Sequence, residues 1–497
     1  MDLGLNWQIG IIVFLTVFFF LGIGMYYLVK GSGKQYIIAG KSLPFILVGS
    51  TLLAQSLDAN ATMGNATGTY LGGFWSGFQF PLGLALCLFV TGTWYAKPLN
   101  RMNLITLPDF YYRRYNRLVE VLVGLTMSFS FILLLAGNLA GASWIIANIF
   151  NWSYLQALIV ICIILFFYTV SGGLWSVVAT DITQVYPAIA GFVAAFIWML
   201  YTHGWDFFAQ AIPATSLDLS GLTTIEFGGL LNWAGLLALG LGDVVALDFM
   251  ERVFASKTPE TARHACYYGA GFTLITGIAA SFLGLMALTL VPEISDPRMV
   301  LSQLATHHLP FIIGLFMMGG IIGAGLSTAD GGLLGVSSVF GRNFLQRNIL
   351  KIWKRHYTPE DRKVLDRRLL WVTRGSAVPI MAGSIWMAIV KPEPGILLVL
   401  AFDVVFAGCF IPLTLGLYWK KANVPGALAG FLIGSALRLY LFYTIPEHLA
   451  GLDTMIPPLV SLIVMVPVSL WTQEKHPPKH DVIHYVPTEE EVLSTAY

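Results

Sequence analysis

Ser327, Thr328 and Asp330 stand within one helical turn in the stretch IIGAGLSTADGGLLGVSS, residues 321–338, inside a long apolar run. Sodium prefers hard oxygen ligands. Two neighbouring hydroxyls, with the Ala324 carbonyl one turn earlier, offer three. A lone Ser or Thr in such a helix usually bonds back to the preceding turn. Ser-Thr-x-Asp facing an interrupted helix points instead to ion coordination.

The chain contains such an interruption. The stretch LVGSTLLAQSLDANATMGNATGTYLGG, residues 47–73, starts apolar and then packs Gln55, Ser56, Asp58, Asn60, Thr62, Asn65 and Thr67 among small residues. A helix facing lipid would not carry this pattern. A helix broken near mid-membrane would, because its freed carbonyls line a cavity and coordinate a cation. A second glycine-punctuated break falls in LLALGLGDVVALD, residues 236–248, around Gly240, Gly242 and Asp243. An ionised carboxylate at membrane depth costs about 2.5–3.5 kcal/mol, so such residues usually face a cavity. Candidates are Asp58, Asp181, Asp243, Asp248, Asp330 and Asp403. Asp248, followed by Glu251 and Arg252, reads at least as well as part of a surface ion pair.

The elements that position these residues follow from composition. The chain has 497 residues, is 56% hydrophobic and 11% charged, and has a mean hydropathy of +0.73. Soluble domains carry about a quarter charged residues, so this is a membrane protein. Apolar runs of about 20 residues predict thirteen spans: 9–30, 45–72, 76–97, 119–148, 153–171, 180–203, 230–253, 266–293, 310–340, 368–391, 395–419, 424–444 and 455–473. The first lacks a cleavage signal after it and reads as an anchor. With the N-terminus outside, the loops and tail on the inner side hold 24 of the 28 Lys and Arg, a strong positive-inside bias. Two interrupted spans separated by five predict inverted five-helix repeats, spans 2–6 and 7–11, with a site at their interface. The prediction is therefore an all-α membrane protein. Residues 1–473 form one transmembrane domain (repeats 45–203 and 230–444), and 474–497 a cytoplasmic tail.

Net charge of +1 suggests no nucleic-acid partner, and the four cysteines show no paired spacing. Gly31-Ser32-Gly33-Lys34 fails the phosphate-loop pattern, because position 28 is Leu and Gln35 follows the lysine. No nucleophile–base or metal-ligand constellation is present, so no enzyme is expected. Asn60-Ala-Thr62 and Asn65-Ala-Thr67 lie at membrane depth, where glycosylation does not reach.

The chain resembles the sodium/solute symporter family over roughly residues 8–473. The resemblance rests on Gly323 to Asp330 with Ser337-Ser338, on YTVSGGLWSVVATDITQ (168–184), on Ala96-Lys97-Pro98 and on Asp58 to Gly72. It implies a LeuT-type inverted repeat with extra terminal helices. Gly172-Gly173-Leu174-x-Ser176-Val177 and Arg342-Asn343, with Ala96-Lys97-Pro98, place it nearest the choline-transporting branch. The resemblance implies that Ala54, Leu57, Ala324, Ser327 and Thr328 hold sodium. It matches Asp181, Ser327, Asp330 and Gly331 to a second sodium site of some members, although Asp181 and Asp330 could instead share a proton.

The chain departs from that branch at Ser56 and Ala246, where its aromatic cage has tryptophan; Phe131 keeps one aromatic wall. Gln55, Ser56, Asp58, Asn60, Gln79, Phe131 and Asp243 are the expected solute-binding residues. Proline-transporting members carry an aspartate matching Asp58. The expected function is sodium-coupled symport of a small polar organic solute such as an amino acid or amine. A choline, quaternary-amine or polyamine transporter is the alternative. An ion channel or transporter-like sensor is the reading from another class.

Overall fold

The computed structural model describes residues 3–24, 32–210, 212–349 and 359–483. The end of the first predicted span, Lys30, part of the basic 342–368 loop and the acidic Glu489–Glu491 run lie outside them. The described chain is built from helices; its single β-bridge joins Leu43 to Ser256. The principal helices are α1 (Leu3–Gly24), α2 (Phe45–Ser56), α3 (Ala59–Gly72), α4 (Phe74–Val90), α5 (Arg117–Phe150), α6 (Tyr154–His203), α7 (Gly229–Leu241) and α8 (Leu247–Ala255). There follow α9 (Pro259–Leu290), α10 (Phe311–Val339), α11 (Pro359–Val390), α12 (Pro394–Gly408), α13 (Phe410–Tyr418), α14 (Val424–Thr444) and α15 (Leu452–Trp471). Among the described residues, seven helical stretches are long and apolar enough to cross a membrane, and up to nine when each bent pair counts as one span.

Local chemistry starts these helices. A helix leaves its first N–H groups without partners, and a short polar side chain just ahead takes one of them. Asn116 accepts from Val119 N at 3.0 Å for α5, Thr258 from Thr261 N at 3.1 Å for α9, and Asn423 from Gly426 N at 3.1 Å for α14. Ser153 and Gln156 form a reciprocal capping box at the start of α6.

Helix α6 covers two predicted spans. Its 50 residues would extend ~75 Å at 1.5 Å per residue, against about 30 Å of hydrocarbon. The chain turns at Gly173, whose φ of 56° and ψ of −148° are not helical. Both ends then meet segments of one face: Tyr154 Oη donates to Ala388 O at 2.8 Å, and His203 lies near His308. The Gly173 corner instead packs on Tyr36, leaving no room for a Cβ. The predicted turn between spans 5 and 6 is thus compressed into one glycine.

Three interruptions shape the interior. Helix α2 stops at Ser56, and α3 starts at Ala59, after the two residues Leu57 and Asp58. The segment from α7 through residues 242–245 bends by 44° into α8, and α12 bends by 47° into α13. The first two fall where the sequence places them. The third was expected as a continuous span, 395–419. Its cause is Pro412, whose ring clashes with the carbonyl four residues back, at Gly408, and which gives no N–H to it. Gly242 permits the close crossing of the second break over α12, since a Cβ there would lie 2.6 Å from Phe402 O.

Asp403 on α12 is held by Arg438 on α14, whose Nε donates to Oδ2 at 2.6 Å, and Arg438 Nη1 reaches Asp453 at 3.1 Å. Asp403 is buried, so removing only its cation strands a charge. Arg438→Met should lower unfolding stability by about 3–5 kcal/mol. Arg438→Met with Asp403→Leu should recover most of that loss, read by thermal denaturation in detergent.

Candidate functional site

The α2–α3 break has no proline or glycine at its centre; Asp58 defines it. Its backbone is extended (φ −65°, ψ 171°), and Oδ1 accepts from Ala61 N at 2.6 Å, so the carboxylate caps α3 in mid-protein. Oδ2 accepts from Asn138 Nδ2 on α5 at 2.7 Å, while Asn138 Oδ1 accepts from Ala59 N at 3.2 Å. One asparagine thus clamps both the cap and the first free N–H of α3. Asn60 Nδ2 adds a contact to Leu134 O at 3.1 Å.

The last four carbonyls of a helix have no intrahelical donor. Leu57 N bonds back to Leu53 O at 3.1 Å, which leaves the carbonyls of Ala54 through Leu57 unspent by α2. The tip of Gln55 crosses to α10 and lies 3.5 Å from Ser327 Oγ. Thr328 Oγ1 is buried and makes no hydrogen bond. Ser338, further along α10, bonds back to Leu334 O at 2.7 Å; Thr328 does not follow that pattern. A buried hydroxyl without a partner is costly, and a hard oxygen left free in this way suits a sodium ion. The set of Ala54, Leu57, Ala324, Ser327 and Thr328 therefore has the donor chemistry for that ion.

Beside it lies a closed pocket of about 10 Å³, bounded by Gln55, Asp58, Leu84, Leu134, Asp243, Asp248, Phe249, Thr328, Leu398 and Phe402. That volume is about enough for one water. Three carboxylates face it, and Asp243 Oδ2 is buried without a partner. A larger cavity of about 470 Å³ opens at the other end of α3, lined by Gly64, Thr67, Gln79, Phe80, Arg298 and Gly395 among others. On the opposite side, contacts join separate segments of the chain. Leu43 N bonds to Ala255 O at 3.0 Å, and Arg342 Nη2 pairs with buried Asp109 at 3.0 Å.

A model of the Sodium:solute symporter family matches residues 36–434, most of the chain. The chain belongs to that family. It is 25% identical to high-affinity choline transporter 1 of Drosophila melanogaster, over 88% of this chain and 74% of that one. It is 26% identical to sodium/proline symporter 2 of Staphylococcus saprophyticus, over 94% of each. In fold it is similar to a Na+-coupled sialic acid symporter solved in a substrate-bound, outward-open state (TM-score 0.73, 17% identity, 95% of this chain and 98% of that one). It also matches a nucleobase-cation-symport-1 family transporter solved in a closed conformation (TM-score 0.55, 13% identity, 93% and 98%). The fold is LeuT-type. The protein is a multi-pass transporter of the cell membrane, not an enzyme.

The symporter's predicted solute residues separate in space. Gln55, Asp58 and Asp243 reach the closed pocket. Ser56 does not: its hydroxyl pairs with Leu53 O and with Thr273 on α9. Asn60 Nδ2 donates to Asp58 and Leu134 O, while its Oδ1 is buried without a partner; Asn60 does not line the pocket. Gln79 bonds Asn232 Oδ1 at 3.2 Å and borders the outer cavity. Phe131 stands behind the wall, edge-on to Phe402 with ring centroids 6.3 Å apart.

Asp248 is not a surface residue. Asp248, Glu251 and Arg252 are all buried, because the second break tips the start of α8 into the protein. Asp181 and Gly331 lie against the Arg252 guanidinium, Asp330 precedes Gly331 on α10, and none of the three borders the pocket. The sequence reading missed Asn138, Phe249, Phe402 and the role of Arg252. Only Arg252 left a signal, as a basic residue one helical turn after Asp248.

Asp58 as a cap makes a stability prediction. Asp58→Ala should destabilise the protein by about 0.5–2 kcal/mol, and Asp58→Asn by less, since asparagine caps as well as aspartate. Thermal denaturation of the purified variants measures the difference.

Proposed function

We propose that this chain is a sodium-coupled importer of a small polar organic solute, an amino acid, amine or related molecule, working by alternating access. The observation that carries the sodium assignment is Thr328 Oγ1, buried and unpartnered on a pocket it shares with Gln55 of α2. The observation that carries the solute class is the trio Asp58, Asp243 and Asp248 around one pocket with leucine and phenylalanine walls. Buried carboxylates need cations, and a solute bearing an ammonium group supplies one.

In this reading thirteen spans cross the membrane with the N-terminus outside and the C-terminus inside, as the distribution of Lys and Arg favours. The outer cavity is the entry vestibule. Sodium bound between α2 and α10 holds the break in the shape that completes the pocket. A shift between the repeats, 45–203 and 230–444, then parts the Leu43–Ala255 and Asp109–Arg342 contacts and opens the inner side. A quaternary-amine solute is the second reading. It draws on Phe249 and Phe402, two rings at the pocket able to face a cation.

Two experiments test this. Thr328→Ala removes one ligand oxygen and no protein hydrogen bond. It should leave melting unchanged and raise the sodium concentration for half-maximal uptake about tenfold, equivalent to roughly 1.4 kcal/mol. Unchanged sodium dependence would remove Thr328 from the site. In a thermal-shift screen, amines and amino acids should stabilise the protein only with sodium present, since a ligand stabilises the state it binds. Stabilisation by purely anionic solutes would rule out the amine reading.

A further inference from the structure

An anionic group on a solute is taken most readily by the free N–H groups at the start of a half-helix. Two such starts border the closed pocket, those of α3 and α8, and both are already occupied. At α3, Ala61 N is spent on Asp58 Oδ1, Ala59 N on Asn138 Oδ1 and Thr62 N on Asp58 O. At α8, Phe249 N donates to Asp248 Oδ1 at 2.8 Å, and Met250 N to Ala246 O at 3.1 Å. Each break thus carries its own carboxylate where a solute carboxylate would sit. Among the described residues, no lysine, arginine or histidine borders the pocket. Arg252 lies behind Gln55: Nη1 donates to Asp248 O at 3.0 Å, and Nη2 to Gln55 at 2.9 Å with that amide oriented to satisfy both its ends.

The three carboxylates at the pocket are not equivalent. Asp58 accepts from Ala61 N and Asn138 Nδ2 on its two oxygens. Asp248 accepts from Phe249 N on one oxygen and from the Gln55 amide, at 3.2 Å, on the other. Asp243 Oδ2 is buried and has no partner. We propose that the solute is an organic cation with N–H donors and no carboxylate, a protonated amine rather than an amino acid, and that Asp243 receives its ammonium group. The inference rests on the sodium-symport reading, which admits both kinds of solute, and removes one of them. A buried carboxylate oxygen needs a donor or a cation, and an ammonium N–H supplies both in one charge-assisted hydrogen bond. A solute carboxylate would instead meet three aspartates, with no fixed cation on the wall and little water to screen the repulsion. Leu84, Leu134, Leu398 and Phe402 suit an apolar body behind the ammonium group.

The test uses full-length protein in detergent with saturating sodium and pairs of probes that differ by one carboxyl group. The pairs are proline and pyrrolidine, leucine and isoamylamine, phenylalanine and phenethylamine, and ornithine and putrescine; choline is added as a cation without N–H. Thermal shift is read against probe concentration. An amine of the set should reach its half-maximal shift at a concentration about tenfold or more below that of its amino acid. Asp243→Asn should raise that amine concentration about tenfold or more, while sodium alone still stabilises the variant. Amino acids acting as well as their amines would overturn the inference and leave sodium symport standing. So would a response to choline without one to the amines, and so would a silent panel on protein that sodium itself stabilises. An amine response unchanged in Asp243→Asn would overturn the role of Asp243. No shift from sodium or from any probe would overturn both readings. If Asp243→Asn cannot be purified, the pairs on the wild type still decide the solute class.

Discussion

A helix that stops halfway through a membrane leaves carbonyls and N–H groups where no water can take them. The rest of this structure depends on how the α2–α3 break meets that constraint. Its N–H side is met from within the protein, by Asp58 capping Ala61 and by Asn138 on α5 holding both Asp58 and Ala59. Its carbonyl side is left open, from Ala54 to Leu57. That asymmetry is what the proposed ion site draws on: the donors are satisfied by fixed side chains, and the acceptors are not spent within α2.

The second break, between α7 and α8, has a different consequence. By tilting α8 it buries Asp248, Glu251 and Arg252 close to Asp243 in the break itself. Charges that would be solvated on a straight helix must then find partners among themselves and among Asp181, Asp330 and Gln55. The result is two compartments either side of Gln55. One is a pocket with carboxylates and no fixed cation. The other is a carboxylate cluster with a guanidinium inside it. Here the side chains of the two interruptions give the region its excess of carboxylates.

The 470 Å³ cavity at the far end of α3 fits one stage of the proposed cycle. The pocket has room for about one water, so in the proposed cycle the helices around it part before a solute enters. The bends at the second break and after Gly408 divide those two stretches into short halves.

The sequence by itself determined the membrane setting, the family, the two breaks in the repeats and the residues expected around sodium. Each of these is written in local terms: hydropathy over about 20 residues, polar and small residues interrupting an apolar run, and hydroxyls one turn from a free carbonyl. Only the tertiary structure decided where the side chains of the second span point. Ser56 and Asn60 share the broken segment with Gln55 and Asp58, but they turn to Thr273 and Leu134. Around a break the helical period no longer fixes direction, so spacing could not separate them. Arg252 makes the same point more sharply. Along the chain it reads as one basic residue at a helix end, and only the bend of 44° ahead of it carries it to Asp181, 71 positions away.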